Sequence, residues 1–335
     1  MSGRFGAAQS RIDENAAGIQ KALLARAQTY AFAARYPEAR DAFDALTPPS
    51  ANEDLGVRDR IFRISLLADI QQGLGQHDQA LAGISTALAL VPDVSDEDQR
   101  IDHLAALHKQ AGIVLRDAGR PQEALPHLRD AYGAVANMPT AYTAEVILVL
   151  VNTLLDLGLK DEARSLIDEG MTLASPRGNT SPTRGSFLQV RGRLALEAED
   201  FAGAAADLEA AITMLRTGGD PYRTSLGSGY FNLGLVHMAQ QRYPASVDCL
   251  RRARELEAAV YGADGGDVLL IEAELAQASF AAGDHEGASQ AITRCLTLIR
   301  SGHPQARRRR NRVLGIAISI DLAHRWPAIY GTTAS

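Results

Sequence analysis

The sequence predicts an all-α solenoid, in which about seven antiparallel helix pairs stack in tandem and a C-terminal helix caps the last of them. Three observations predict it. A helix–turn–helix pattern returns at a nearly constant spacing. Residues of one type return at fixed offsets inside each copy. Glycine and proline punctuate the copies at matching places.

The spacing is read from an anchor near the start of each second helix. It falls at Ala39, Ala80, Ala124, Ala163, Ala204, Ser246 and Ala288, with gaps of 41, 44, 39, 41, 42 and 42 residues. Four positions past the anchor stand Phe43, Ile84, Leu128, Ile167, Leu208, Leu250 and Ile292, a large apolar plug every time. Seven past it stand Leu46, Ala87, Ala131, Gly170, Ala211, Ala253 and Cys295, mostly small. Offsets of four and seven share one face of a helix. Twelve before the anchor, on the preceding helix, stand Ala27, Ala68, Gly112, Val151, Gly192, Gly234 and Ala276. Small residues there predict a close crossing of the two helices. On this register Gly234→Leu overpacks the crossing, whereas Gly234→Ala is expected to be tolerated.

Gly75, Gly119, Gly158 and Gly283 end first helices, where a residue with positive φ closes the last turn at low cost. Pro37 and Pro244 open second helices, where a missing N–H costs nothing. Composition agrees. Hydrophobic residues make up 46% of the chain and aromatics 5%, which suits closely packed Ala- and Leu-rich helices better than a sheet.

These residues resemble the tetratricopeptide repeat family over 20–300. The clearest local matches are YPEARDAFDAL (36–46), GQHDQALAGISTALALVP (75–92), GRPQEALPHLRDA (119–131) and NLGLVHMAQQRYPASVDCLRRA (232–253). The spacing exceeds the family's usual 34 residues, and this is similar to the long-helix class of kinesin light chains and bacterial peptide-sensing regulators. The stretch 258–288 is similar to the light-chain version. Two departures are Val151 in the fourth hairpin and the missing glycine before the turn of the first. The resemblance implies a right-handed superhelix whose first helices line a concave groove.

The expected organisation is a polar lead-in over 1–19, a repeat array over 20–303, and a capping helix with tail over 304–335. The Pro-, Gly- and Ser-rich break at 175–185 is the expected hinge. Residues 1–18 hold no apolar signal core, and no apolar run reaches membrane-spanning length. This leads to the expectation of a soluble, cytoplasmic protein without a membrane partner.

Sequence signals for catalysis are absent. There is no P-loop, HExxH or GxSxG motif. Cys249 and Cys295 form neither a CxxC nor a Cys/His ligand set, so no metal or cofactor is expected. The five-residue gap between His103 and His108 suits no shared ligand on one helix face. A net charge of −6 argues against a general nucleic-acid binder.

On the family's register, groove-facing residues include Leu24 and Gln28, Ser65 and Asp69, then Lys109, Ile113 and Arg116, then Leu148, Asn152 and Leu155. Later hairpins place Gln189 and Arg193, Phe231, Leu235 and Met238, and Ala273, Gln277 and Phe280 there. The candidate peptide-binding set is polar at Lys109, Arg116, Asn152, Gln189 and Arg193, and apolar at Phe231, Leu235, Met238 and Phe280. Its alternative reading is a series of ordinary solvated or core positions. The family's carboxylate clamp is not carried over, because Lys109 and Asn152 fall in different repeats from those it requires. Arg307, Arg308, Arg309, Arg310 and Arg312 offer an acidic partner a second surface, or else form the solvated face of the capping helix.

The function expected is a protein- or peptide-binding scaffold. The alternatives are a peptide-sensing regulatory subunit that changes superhelical shape on binding, and an enzyme built from scattered residues on a helical scaffold.

Overall fold

The computed structural model describes residues 18–46, 56–138, 140–174, 181–219, 222–262, 267–302 and 313–318. Among them the structure is helical and contains no strand. The chain divides into two compact units, Met1–Leu173 and Ala174–Ser335.

The first unit holds α1 (18–32), α2 (Tyr36–Asp44), α3 (Val57–Gly73), α4 (His77–Leu90), α5 (Glu97–Asp117), α6 (Pro121–Val135), α7 (Ala141–Asp156) and α8 (Lys160–Leu173). The second holds α9 (Pro182–Glu197), α10 (Phe201–Leu215), α11 (Arg223–Ala239), α12 (Tyr243–Tyr261), α13 (Val268–Ala281), α14 (His285–Arg300) and α15 (313–318). Odd-numbered helices up to α13 are first helices of hairpins, and each pairs with the even-numbered helix that follows. Val313 of α15 is buried against Val268, Leu269, Cys295 and Leu298.

The anchor is the deepest point of every hairpin. All seven anchor residues have no exposed surface. Ser246, the one non-alanine, donates its hydroxyl to the Gly234 carbonyl at 2.8 Å, so its polar atom is satisfied inside the hairpin. The residues twelve before the anchor are buried in every hairpin too.

The crossing itself is a fitted pair. Where the first helix has Gly, the plug on the second is Leu: Gly112 with Leu128, Gly192 with Leu208, Gly234 with Leu250. Where it has Ala or Val, the plug is Ile or Phe, as in Ala68 with Ile84 and Val151 with Ile167. A Cβ on Gly112 would lie 2.4 Å from Leu128 Cγ; on Gly192, 2.8 Å from Leu208 Cγ; on Gly234, 2.9 Å from Leu250 Cγ. Leucine branches at Cγ, further from its own helix, and fills the space a Cβ would need. This corrects the expectation for Gly234→Ala: Leu250 must yield before alanine fits.

The turns inside the hairpins also repeat. Five residues before each anchor the backbone is left-handed, at Ala34 (φ 55°), Gly75 (73°), Gly119 (74°), Gly158 (76°), Glu199 (61°), Gln241 (58°) and Gly283 (82°). Four of these are the glycines expected from sequence, and three are side-chain-bearing residues in the same geometry. The geometry therefore belongs to the repeat, and glycine only makes it cheaper.

Candidate peptide-binding face

The positions fifteen, eleven and eight before each anchor lie on one side of the first helix. In the first compact unit these sides are stitched together by polar bonds from one first helix to the next. Gln110 of α5 donates to the Ser65 carbonyl at 2.8 Å and to the Asp69 carboxylate, and accepts from the Ser65 hydroxyl at 3.0 Å. Gln72 of α3 donates to Asp117 at 2.7 Å. Lys109 reaches Glu145 of α7 at 3.3 Å and lies 4.4 Å from the centre of the Tyr142 ring. Arg116 donates two hydrogen bonds to one oxygen of Asp156, at 2.9 and 3.0 Å. Asn152 donates its amide to the Leu148 carbonyl of its own helix at 2.9 Å. Lys109 and Arg116 are thus already neutralised by α7, and the Asn152 amide has given one donor to its own backbone.

Between α1 and α3 lies a recess of about 300 Å³ lined by Gln28, Phe32, Tyr36, Phe62, Leu66, Asp69 and Gln72, among others. Phe32 is 72% exposed and Phe62 40%, both unusual for phenylalanine on a polar face. The Tyr36 ring lies flat over Gly73, where a Cβ would meet it at 2.3 Å. Asp69 keeps contact with water at the rim, yet the protein atoms crowded around it push its carboxyl up to about 6, against the pull of the Gln110 hydrogen bond and the Lys109 charge.

In the second compact unit the face differs. Gln189 and Asn232 are more than nine-tenths buried. Neither of them, nor Arg193, makes a hydrogen bond or ion pair with any described residue. The Arg193 Nε is itself shut away from water with no acceptor. Gln189 lies against α11, since a Cβ on Gly229 would be 3.8 Å from its Cγ. Asn232 stands fourteen before its anchor, as Gln110 does, on the first helix that follows the one carrying Gln189 and Arg193.

Three other cations of this unit are spent. Arg191 forms a two-pronged pair with Asp207 at 2.7 Å on both arms. Arg294 and Arg254 share the buried Glu272, with Arg294 at 2.7 and 2.9 Å and Arg254 at 3.5 Å.

The apolar part is partly core. Phe231 and Met238 pack against Val247, Leu250, Leu275 and Ala278, so one side of each serves the hairpin stack. Leu235 is half-buried between them. Phe280 sits with its ring centre 5.2 Å from that of His285, at 60°.

Sequence reading missed Phe32, Phe62, Tyr36 and Asn232. The basic run Arg307–Arg310 with Arg312 lies outside the described residues, as do 175–180 of the break at 175–185. Cys249 and Cys295 are free thiols, pushed up by burial to about 11 and about 12. Among the described residues, no group of three His, Cys, Asp or Glu is placed to hold a metal ion, and no helix is long and apolar enough to cross a membrane.

Residues 225–301 match the tetratricopeptide repeat family. No curated protein sequence matches the chain. Among solved structures the chain is similar to BtubC (BKLC) from P. vanneervenii, with TM-score 0.52, 20% identity, and coverage of 72% of this chain and 92% of that one. It is similar to the APC/C hetero-tetramer Cut9–Hcn1, with TM-score 0.63, 11% identity, and coverage of 81% and 45%. It is also similar to pilF of Pseudomonas aeruginosa, with TM-score 0.51, 16% identity, and coverage of 77% and 99%. At these identities the structures speak for the fold, and the fold is the tetratricopeptide-type helical solenoid. The family match covers 225–301, and the anchor and left-handed turn of that segment recur in all seven hairpins, so the described array repeats one hairpin type throughout.

Proposed function

We propose that this tetratricopeptide-type solenoid is a binding scaffold that takes an extended acidic segment of a protein partner along the first-helix face. Arg193 receives a carboxylate, and Phe231, Leu235, Met238 and Phe280 receive the flanking apolar side chains. The observation that carries the reading is the guanidinium of Arg193, whose Nε is buried without an acceptor, on the face that also holds the buried, unbonded amides of Gln189 and Asn232. A buried charged donor without a partner costs free energy, and a ligand that supplies the acceptor recovers it. Lys109, Arg116 and Asn152 support the reading less directly, because their polar groups already have partners. Guanidinium with two amides suits a carboxylate flanked by peptide N–H and C=O groups, since an amide side chain offers both donors and an acceptor.

The test is fluorescence anisotropy with labelled short peptides rich in Glu, Leu and Phe, each made with a free and with an amidated C-terminus. Arg193→Met should lower affinity for the acidic peptides about tenfold, the size of one charge-assisted hydrogen bond. Its melting temperature should hold or rise, because the unsatisfied N–H is gone. Arg129→Ala, which removes a pair with Glu162 on the second helices, should bind like the parent. Unchanged affinity in Arg193→Met would remove the carboxylate from the proposal.

A further inference from the structure

We propose that the recess between α1 and α3 receives a lysine or arginine side chain displayed on a protein partner. The inference rests on the reading of the first-helix face as the binding face, but it uses different residues in the other compact unit. Three features of the recess point to a cationic side chain with an aliphatic stem.

The first is its walls. Phe32 and Phe62 stand exposed on either helix, and Tyr36 lies over Gly73 below them. Aromatic faces accept both the methylenes and the charged head of lysine or arginine. The second is its charge. Among the described residues, Asp69 is the one carboxylate lining the recess, the other polar lining groups are the amides of Gln28 and Gln72 and the Tyr36 hydroxyl, and no lysine or arginine lines it. Lys109, the cation whose charge is felt at Asp69, is held by Glu145 and the Tyr142 ring on the far side. The third is preorganisation. Gln110 holds Asp69 and Asp117 holds Gln72, so the acceptor is positioned before a partner arrives. A plain apolar side chain would fill the walls but leave the crowded carboxylate without a counter-charge. An acidic side chain would oppose it. A volume of about 300 Å³ open to solvent suits one long side chain and excludes a whole helix.

The probes are N-acetyl-arginine-N-methylamide, the lysine counterpart, and the neutral isostere N-acetyl-citrulline-N-methylamide, followed by saturation-transfer NMR on the full chain. The arginine and lysine probes should bind with millimolar dissociation constants and citrulline about fivefold more weakly, the discrimination expected when charge contributes about 1 kcal/mol. Asp69→Asn keeps the shape and should remove the preference for charge. Phe62→Ala should weaken all three probes. Phe62 is on the surface, and Asp69→Asn is isosteric, so both variants are checked for an unchanged helical spectrum before titration. Arg193→Met should leave the arginine probe unaffected, which separates this site from the carboxylate site: acidic peptides can fail there while the arginine probe still binds here. Equal binding of arginine and citrulline, an Asp69→Asn variant with the parent's preference, or no binding of either cationic probe would overturn the proposal.

Discussion

Gly112→Ala tests whether the repeat is held by a fitted pair or by small residues in general. A methyl at Gly112 would stand 2.4 Å from both Cγ and Cδ2 of Leu128 and 3.0 Å from its Cδ1, where ordinary contact begins at 3.4 Å. Leu128 has no exposed surface, so it cannot retreat into solvent. The shortfall of about 1 Å must be met by moving α6 or forcing the leucine off its rotamer, at the upper end of the usual 1–3 kcal/mol for overpacking. Alanine gains about 1 kcal/mol over glycine inside a helix. The net expectation is a loss of about 2 kcal/mol. Leu128→Ile alone should cost about 1 kcal/mol through changed shape. The double variant recreates the Ala68–Ile84 pair of the second hairpin and should lie within about 1 kcal/mol of the parent, a coupling of about 2 kcal/mol. The assay is a double-mutant cycle by urea unfolding, followed by helical circular dichroism. The slopes of the transitions must agree, because repeat arrays need not unfold in one step. Gly234→Ala, with its milder approach of 2.9 Å to Leu250 Cγ, should cost less than Gly112→Ala. A coupling near zero, or equal losses at Gly112 and Gly234, would refute the argument.

Two further outcomes follow from the turns and from the open recess. Ala34, Glu199 and Gln241 hold left-handed backbone on exposed surface, so replacing all three by glycine should raise stability by about 1–2 kcal/mol, strain relief exceeding the extra freedom of the unfolded chain; a lower urea midpoint would contradict this. Asp69 has its carboxyl raised from an ordinary 3.8 to about 6, so the folded chain binds more protons than the unfolded chain between those values, and stability should fall as pH rises through that window. The full shift would correspond to about 3 kcal/mol, but Asp69 still meets water, and about 1 kcal/mol is expected. Asp69→Asn should therefore unfold at higher urea than the parent at neutral pH and match it near pH 4; the reverse order would refute the assignment.

The sequence by itself determined the hairpin, its number and its register. The anchor residues lie where they do because a helix pair can cross closely only at small side chains, and small side chains at a constant spacing are visible without coordinates. The leucine–glycine pairing was also written in the sequence, but its meaning needed geometry. Nothing in the letters says that a branch at Cγ and a missing Cβ compete for one volume. The left-handed turns show the same limit: four glycines announced the conformation, while Ala34, Glu199 and Gln241 adopt it because the packed helices on both sides impose it.

For the candidate site, sequence could name one side of the first helices but could not rank the residues on it. Lys109, Arg116 and Arg193 are alike as letters. Only the tertiary structure brings Glu145 to the first and Asp156 to the second, and leaves Arg193 with neither. Those partners lie about 40 residues away along the chain, on another helix. Whether a cation is spent or free depends on which side chains the stacking of hairpins brings within hydrogen-bonding reach.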